Sequence, residues 1–183
     1  MKFIIYLLFL IFSLFLQAYD ENDLTTLKKT KKCENCDLTN ANLSKLDLSN
    51  AMLSGANLSL ANLTNTNFFK ADLSYSSLVK SKIYIANLDF ANLEGANLTE
   101  ARLNGASLRG ANLIDATLIS TVLSKSKLDE IILDGANLKY TKFRGADLQK
   151  AKFNGSILSF TDFSAADLTE AEMIALDLTN SVF

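Results

Sequence analysis

The chain has 183 residues, enough for one domain, and carries 18 Lys and Arg against 20 Asp and Glu for a formal charge of -2. No stretch is basic enough to neutralise a run of phosphates, so nucleic acid is not an expected ligand. Histidine, tryptophan and proline are absent, which removes the usual general base near neutral pH and the commonest metal ligand; no enzyme activity, cofactor or metal is expected.

Residues 1–18 differ from the rest. Lys2 is followed by an almost unbroken apolar run from Phe3 to Leu16, and small Ala18 precedes Tyr19, the layout of a secretory signal. The run, about 14 residues, is short of the ~20 that a spanning helix needs. A cut before Tyr19 is expected, leaving a periplasmic or secreted protein with no membrane insertion; an uncleaved signal anchor is the lesser reading. A lipid anchor on cysteine fits poorly, since the first cysteine is Cys33.

Residues 19–35 read as a cap segment. Asn22 or Asp23 can cap a short helix whose Leu24 and Leu27 share one face and cover the start of the segment beyond residue 35. Cys33 and Cys36 form a C-x-x-C. A zinc site lacks ligands, with no histidine and no further cysteine. A thioredoxin-like pair lacks its strand-turn-helix setting. A structural disulfide, or two thiols that merely pack, is the plainer reading, and export favours oxidation.

From residue 36 to 183 a single frame holds. Starting at Leu38, every fifth residue through Leu98 to Phe183 is Leu, Ile, Met or Phe, thirty centres without an insertion. Two places before each centre stands a small residue, usually Ala (Ala41, Ala56, Ala96, Ala111), otherwise mostly Ser or Thr. All seven glycines stand two places after a centre. On an α-helix five residues advance about 500°, so the stripe would walk around the cylinder; on a flat strand an odd step alternates faces. A path that turns after every five residues points every centre and every small residue to one axis and leaves three positions outward. Glycine at the corner is expected where φ must be positive.

The recurring Ala-Asn/Asp-Leu, as in Ala56-Asn57-Leu58, Ala96-Asn97-Leu98 and Ala166-Asp167-Leu168, resembles the pentapeptide repeat family. The resemblance implies an all-β fold, a right-handed quadrilateral β-helix of four units per coil over 36–183, which would follow the signal read at 1–18 and the short helical cap read at 19–35. The stretch from Thr30 to Leu38 is similar to the lead-in of many members, with Cys36 in the place usually held by inward Ala. Some members are thought to mimic DNA with an acidic rod and to bind type II topoisomerases; a signal and a near-balanced charge weigh against that role here. A rigid, exported structural or protein-interaction module is the expectation, its protein partner unknown.

Departures from the repeat mark candidate surfaces. Leu46, Ile131 and Leu176 are bulky at the inward small position, which predicts a local widening of the wall. Leu60, Phe69, Tyr75, Val79, Tyr84, Ile85 and Phe90 are apolar at outward positions within about one and a half coils, and Tyr140 and Phe160, twenty residues apart, are expected to stack on one face. Outward acids such as Asp72, Glu94, Asp115 and Asp134 are read as solvated wall. Because Phe183 is itself a centre, the last coil is expected to expose Phe163, Leu168, Met173, Leu178 and Phe183 and to offer an end for homodimerisation.

Overall fold

The computed structural model describes residues 19–183; residues 1–18, and the signal reading that rests on them, lie outside the described residues. Among the described residues the first element is helix α1, Glu21–Thr30. Its N-cap is Asp20, whose carboxylate accepts from the N–H groups of Asn22 (2.7 Å) and Asp23 (3.3 Å). This corrects the expected cap at Asn22 or Asp23. The Asp23 carboxylate serves a different purpose, accepting from the Asp37 N–H at 2.8 Å and tying α1 to the first coil. Leu27 is wholly buried and Leu24 half-buried against the core, while Lys28 and Lys29 sit in the last turn, where the helix dipole favours cations.

Beyond α1 the chain winds as a repeat solenoid. Parallel bridges join each residue preceding a centre to the one twenty positions later, from Lys32↔Met52 to Asp162↔Val182. A turn follows each bridge from Lys32 to Asp167, so one coil contains twenty residues and four five-residue units. The bridge at Lys32 and the left-handed Asn35 extend this geometry one unit upstream of residue 36, with Cys33 in the place of a centre. Four faces result: face 1 holds the units of Leu38, Leu58 and every twentieth residue onward, face 2 those of Leu43, face 3 of Leu48 and face 4 of Leu53.

Tracing the backbone N–H groups explains the residue pattern. In the unit of Leu58, Asn57 donates back to Cys36, while Leu58 and Leu60 donate forward to Ser77 and Val79 of the next coil. Ala61 closes the turn onto the Leu58 carbonyl at 3.1 Å. Only the N–H of Ser59 lacks a main-chain partner, and the Asn57 side-chain oxygen accepts it at 3.1 Å. The same bond recurs at Asn42, Asp72, Asn97 and Asp167. Asn and Asp precede the centre because one donor per unit needs a side-chain acceptor.

All centres from Leu38 to Phe163 are buried. Inward Ser and Thr from Thr66 to Thr161 are buried too, and hydroxyls among them bond centre carbonyls: Thr66 to Leu43 (2.8 Å), Thr121 to Leu98 (2.7 Å), Thr141 to Leu118 (2.6 Å). Among the described residues no buried side-chain polar atom is left without a partner. Ile131 is fully buried between Ala111 and Ala151 of its own column, whereas Leu46 and Leu176 lie half-buried in the first and last coils. One expectation fails at the C-terminal end. Phe163 is 1% exposed because Phe183 stacks over it, centroids 5.2 Å apart and planes at 12°. Leu168 and Met173 are half-buried, and the exposed residues are Ile174, Leu178, Val182 and Phe183.

Candidate interaction surfaces

Each unit bends at the residue two places after its centre, and every such corner from Asn40 to Asn180 has φ between 55° and 70°. Seven are glycine; the others include Leu60, Tyr75, Ile85, Phe90, Tyr140 and Phe160, all exposed. The glycine corners have the positive φ expected of them, but positive φ does not by itself select glycine, since other residues hold it too. Steric crowding from the preceding coil selects glycine at four places, under the side-chain oxygens of Asn35 and Asp115 at Gly55 and Gly135 and under aromatic rings at the other two. A Cβ on Gly95 would lie 2.6 Å from the Tyr75 ring, and one on Gly110 would lie 2.8 Å from the Phe90 ring. Corner side chains lean over the next coil, and at Gly95 and Gly110 glycine leaves room for the aromatic ring of the coil before.

Left-handed backbone costs a non-glycine residue about 1–2 kcal/mol, and a β-branched residue such as Ile85, φ 56°, is an outlier there. The expected outward residues divide between faces. Phe69 and Phe90 share face 3 in an edge-to-face contact at 5.9 Å, Lys70 lying 5.3 Å from the Phe69 ring. Tyr75 is on face 4 and donates to Glu94 Oε1 at 3.2 Å, which raises its phenol pKa above the ordinary value. Tyr84 is half-buried on face 2, its hydroxyl 3.4 Å from an Arg102 guanidinium nitrogen. Tyr140 and Phe160 stack on face 1, centroids 5.0 Å apart and planes at 24°. The girdle from Leu60 to Phe90 thus surrounds the rod, and the face 1 pair forms a separate spot.

At the other end Cys33 and Cys36 form a disulfide, both buried. The Asp23 carboxylate lies near the two sulfurs; with the thiols oxidised, the group holds no thiolate ligand. No histidine, nucleophile-base pair or perturbed buried acid accompanies these surfaces among the described residues, so the arrangement can bind but contains no assembled chemistry.

Charge is distributed by face in a way that the linear sequence conceals. On face 2 Lys45, Lys82, Arg102, Lys125, Lys142 and Arg144 are all exposed, with Asp162 the one carboxylate among the described residues. Face 4 carries Asp72, Glu94, Asp115, Asp134 and Glu172 on the repeat, against Lys152 beyond the lead-in. Reading the chain in four columns, twenty residues to a row, would have revealed both.

The sequence signature described as "Pentapeptide repeats" matches in eight copies, over residues 32–68, 47–82, 86–124, 118–155 and 146–183. Among solved structures, a trypsin-treated form of QnrB1, a plasmid-mediated fluoroquinolone resistance protein, is 27% identical, with a TM-score of 0.58 over 82% of this chain and 73% of that one. Full-length QnrB1, at 23% identity and a TM-score of 0.54 over 82% and 83% of the chains, shares the fold. HetL from the cyanobacterium Nostoc, a pentapeptide repeat protein involved in heterocyst differentiation regulation, is 25% identical over 82% and 86%, with a TM-score of 0.37. No curated protein matches the chain in sequence.

Proposed function

The chain belongs to the pentapeptide repeat family, and from that premise we propose that it is an exported, non-enzymatic module that binds a protein partner through its corners. The solenoid in this reading is a right-handed quadrilateral β-helix, consistent with four units per coil. The apolar corners carry the proposal: Tyr75, Ile85, Phe90, Tyr140 and Phe160 hold exposed apolar groups in left-handed positions at a backbone cost that stability alone gives no reason to retain. In-cell photo-crosslinking from position 160 tests it. A partner band that vanishes in Tyr140→Asn, a residue tolerant of that backbone, supports the reading; no band in any compartment overturns it. Fusing residues 1–25 to a reporter active only after export tests the signal.

An end-to-end homodimer belongs to the same proposal, supported by the exposed apolar group of Ile174, Leu178, Val182 and Phe183. Sedimentation at high salt is expected to show a dimer that Phe183→Asp abolishes with the fold retained; a monomer at every concentration overturns it. The acidic residues of face 4 and the likeness to QnrB1 favour a second reading, mimicry of DNA, which the cations of face 2 oppose. Raised fluoroquinolone tolerance on cytoplasmic expression of residues 19–183 would support that second reading.

A further inference from the structure

Four consecutive coils, from the unit of Leu73 to that of Phe143, sort their charges without exception. Over these coils face 4 presents Asp72, Glu94, Asp115 and Asp134 and no cation. Face 2 presents Lys82, Arg102, Lys125, Lys142 and Arg144 and no carboxylate. Four turns close each coil, so faces 2 and 4 lie on opposite sides of the rod. Elsewhere a cation finds a carboxylate one coil away on its own face: Lys80 with Glu100 on face 1, Arg109 with Asp129 on face 3, Lys152 with Glu172 on face 4. No ion pair among the described residues involves the five face 2 cations. Lys82 and Arg102 precede their centres in adjacent coils, and like charges at that spacing destabilise a ladder. Asp162, one coil beyond Lys142 on the same face, offsets part of the charge of Lys142 and Arg144; Lys82, Arg102 and Lys125 have no carboxylate on their own face in the adjacent coils, which leaves a group outside the chain to supply theirs.

The same chain carries the complement. Opposite sides of a closed coil run in opposite directions. When two copies with parallel axes meet face 2 to face 4, the residue before a centre on one copy lies opposite the residue after a centre on the other. In the register aligning Leu93 with Leu103, Glu94 then meets Arg102, Ile114 meets Val122 and Asp134 meets Lys142. Asn92 meets Asn104 in the same register. Two charge pairs, an apolar pair and an amide pair fall into place together, and the coil spacing is shared because both faces belong to the same coils. Gly95, Gly105, Gly135 and Gly145 add no side chain of their own at alternate corners of the two faces.

We infer that the rods associate side by side, face 2 of one copy on face 4 of the next. The contact is heterologous and repeats by translation, so it builds an open row of parallel rods rather than a closed dimer. Exposed ion pairs are individually weak and chiefly steer and register an encounter. The association is therefore weak and salt-sensitive.

Sedimentation velocity of the purified chain across a concentration series, at about 10 mM and about 1 M salt, tests it; the Debye length falls from about 30 Å to about 3 Å between them. Faster species, beyond the end-to-end dimer, that grow with concentration only at low salt are expected. Arg102→Glu/Lys142→Glu makes both faces acidic, and Glu94→Lys/Asp134→Lys makes both basic. Each variant alone is expected to lose the faster species, and an equal mixture to regain them, with circular dichroism reporting the fold. Loss in the first variant only, with the native chain held on an anionic resin instead of by itself, would overturn the inference in favour of an anionic partner. A native chain whose sedimentation is the same at both salts overturns it whether or not the variants fold, and so does a mixture that stays dispersed.

Discussion

At the residue scale the fold rests on a division of labour within five positions. The inward small residue shares its space with a centre, as Ala96 does with Leu98, both fully buried. Ala96→Leu is expected to cost about 1–3 kcal/mol by overpacking, seen as an earlier midpoint in chemical denaturation. Asn97 is outward, and its exposure alone suggests that any polar residue would serve. Yet its side-chain oxygen accepts from the Thr99 N–H at 3.0 Å and the Thr99 hydroxyl at 2.6 Å. Asn97→Ala is expected to lose about 0.5–1.5 kcal/mol, and Asn97→Asp, which keeps the acceptor, much less. Gly95 supports the Tyr75 ring, so Gly95→Ala should swing the ring off its seat and away from Glu94. Spectrophotometric titration then finds the Tyr75 phenol moving down from its raised pKa toward the ordinary value. Gly155, where a Cβ meets nothing within 4 Å, supplies the control: Gly155→Ala carries the left-handed backbone cost alone.

The coil is the next scale, and it is where the sequence was most and least legible. A frame of five with one apolar centre excludes both helix and flat strand, so the winding path was readable from Leu38, Leu43 and their successors. Burial of Phe163 was not, because it depends on which residue lies one coil above, Phe183, and that is a fact of twenty rather than five. The charge sorting of faces 2 and 4 was missed for the same reason. Asp20, the helix cap, and Asp23 have the same side-chain chemistry, and only the tertiary bond to Asp37 distinguishes their duties. In the first coil Cys33 stands as a centre and Cys36 as the inward small residue of the next unit, that of Leu38, so the disulfide fills space that Leu and Ala fill elsewhere. It closes a short loop, and the chain-entropy contribution of a disulfide grows with loop length. Mass spectrometry of unreduced protein is expected to find the pair oxidised, and Cys33→Ser/Cys36→Ser to keep the β-type circular dichroism while loosening α1.

For the whole molecule, acid weakens the surface network before it reaches the core. Asp47 is held well below the usual carboxylate range by the Lys31 ammonium at 2.8 Å and then by Ser49. Asp167 and Asp177 are lowered by the hydroxyl and N–H of Thr169 and Thr179. A carboxylate with a depressed folded pKa contributes stability that is complete above its unfolded value, about 3.9, and is lost as pH falls through the folded one. Thermal stability should therefore be level from neutrality to about pH 4 and decline below it, and Asp47→Asn should flatten the decline. A stability that fell already between pH 7 and 5 would contradict this assignment. The uniform pairing of each residue with the one twenty places on has a mechanical counterpart. Adjacent coils are joined by backbone bonds directed along the axis, so tension between the two ends opens the rod one coil at a time. Each opening frees twenty residues, about 60–70 Å of contour at about 3.3 Å per residue. A single molecule drawn between two supports would lengthen in equal steps, paying out chain like a spool.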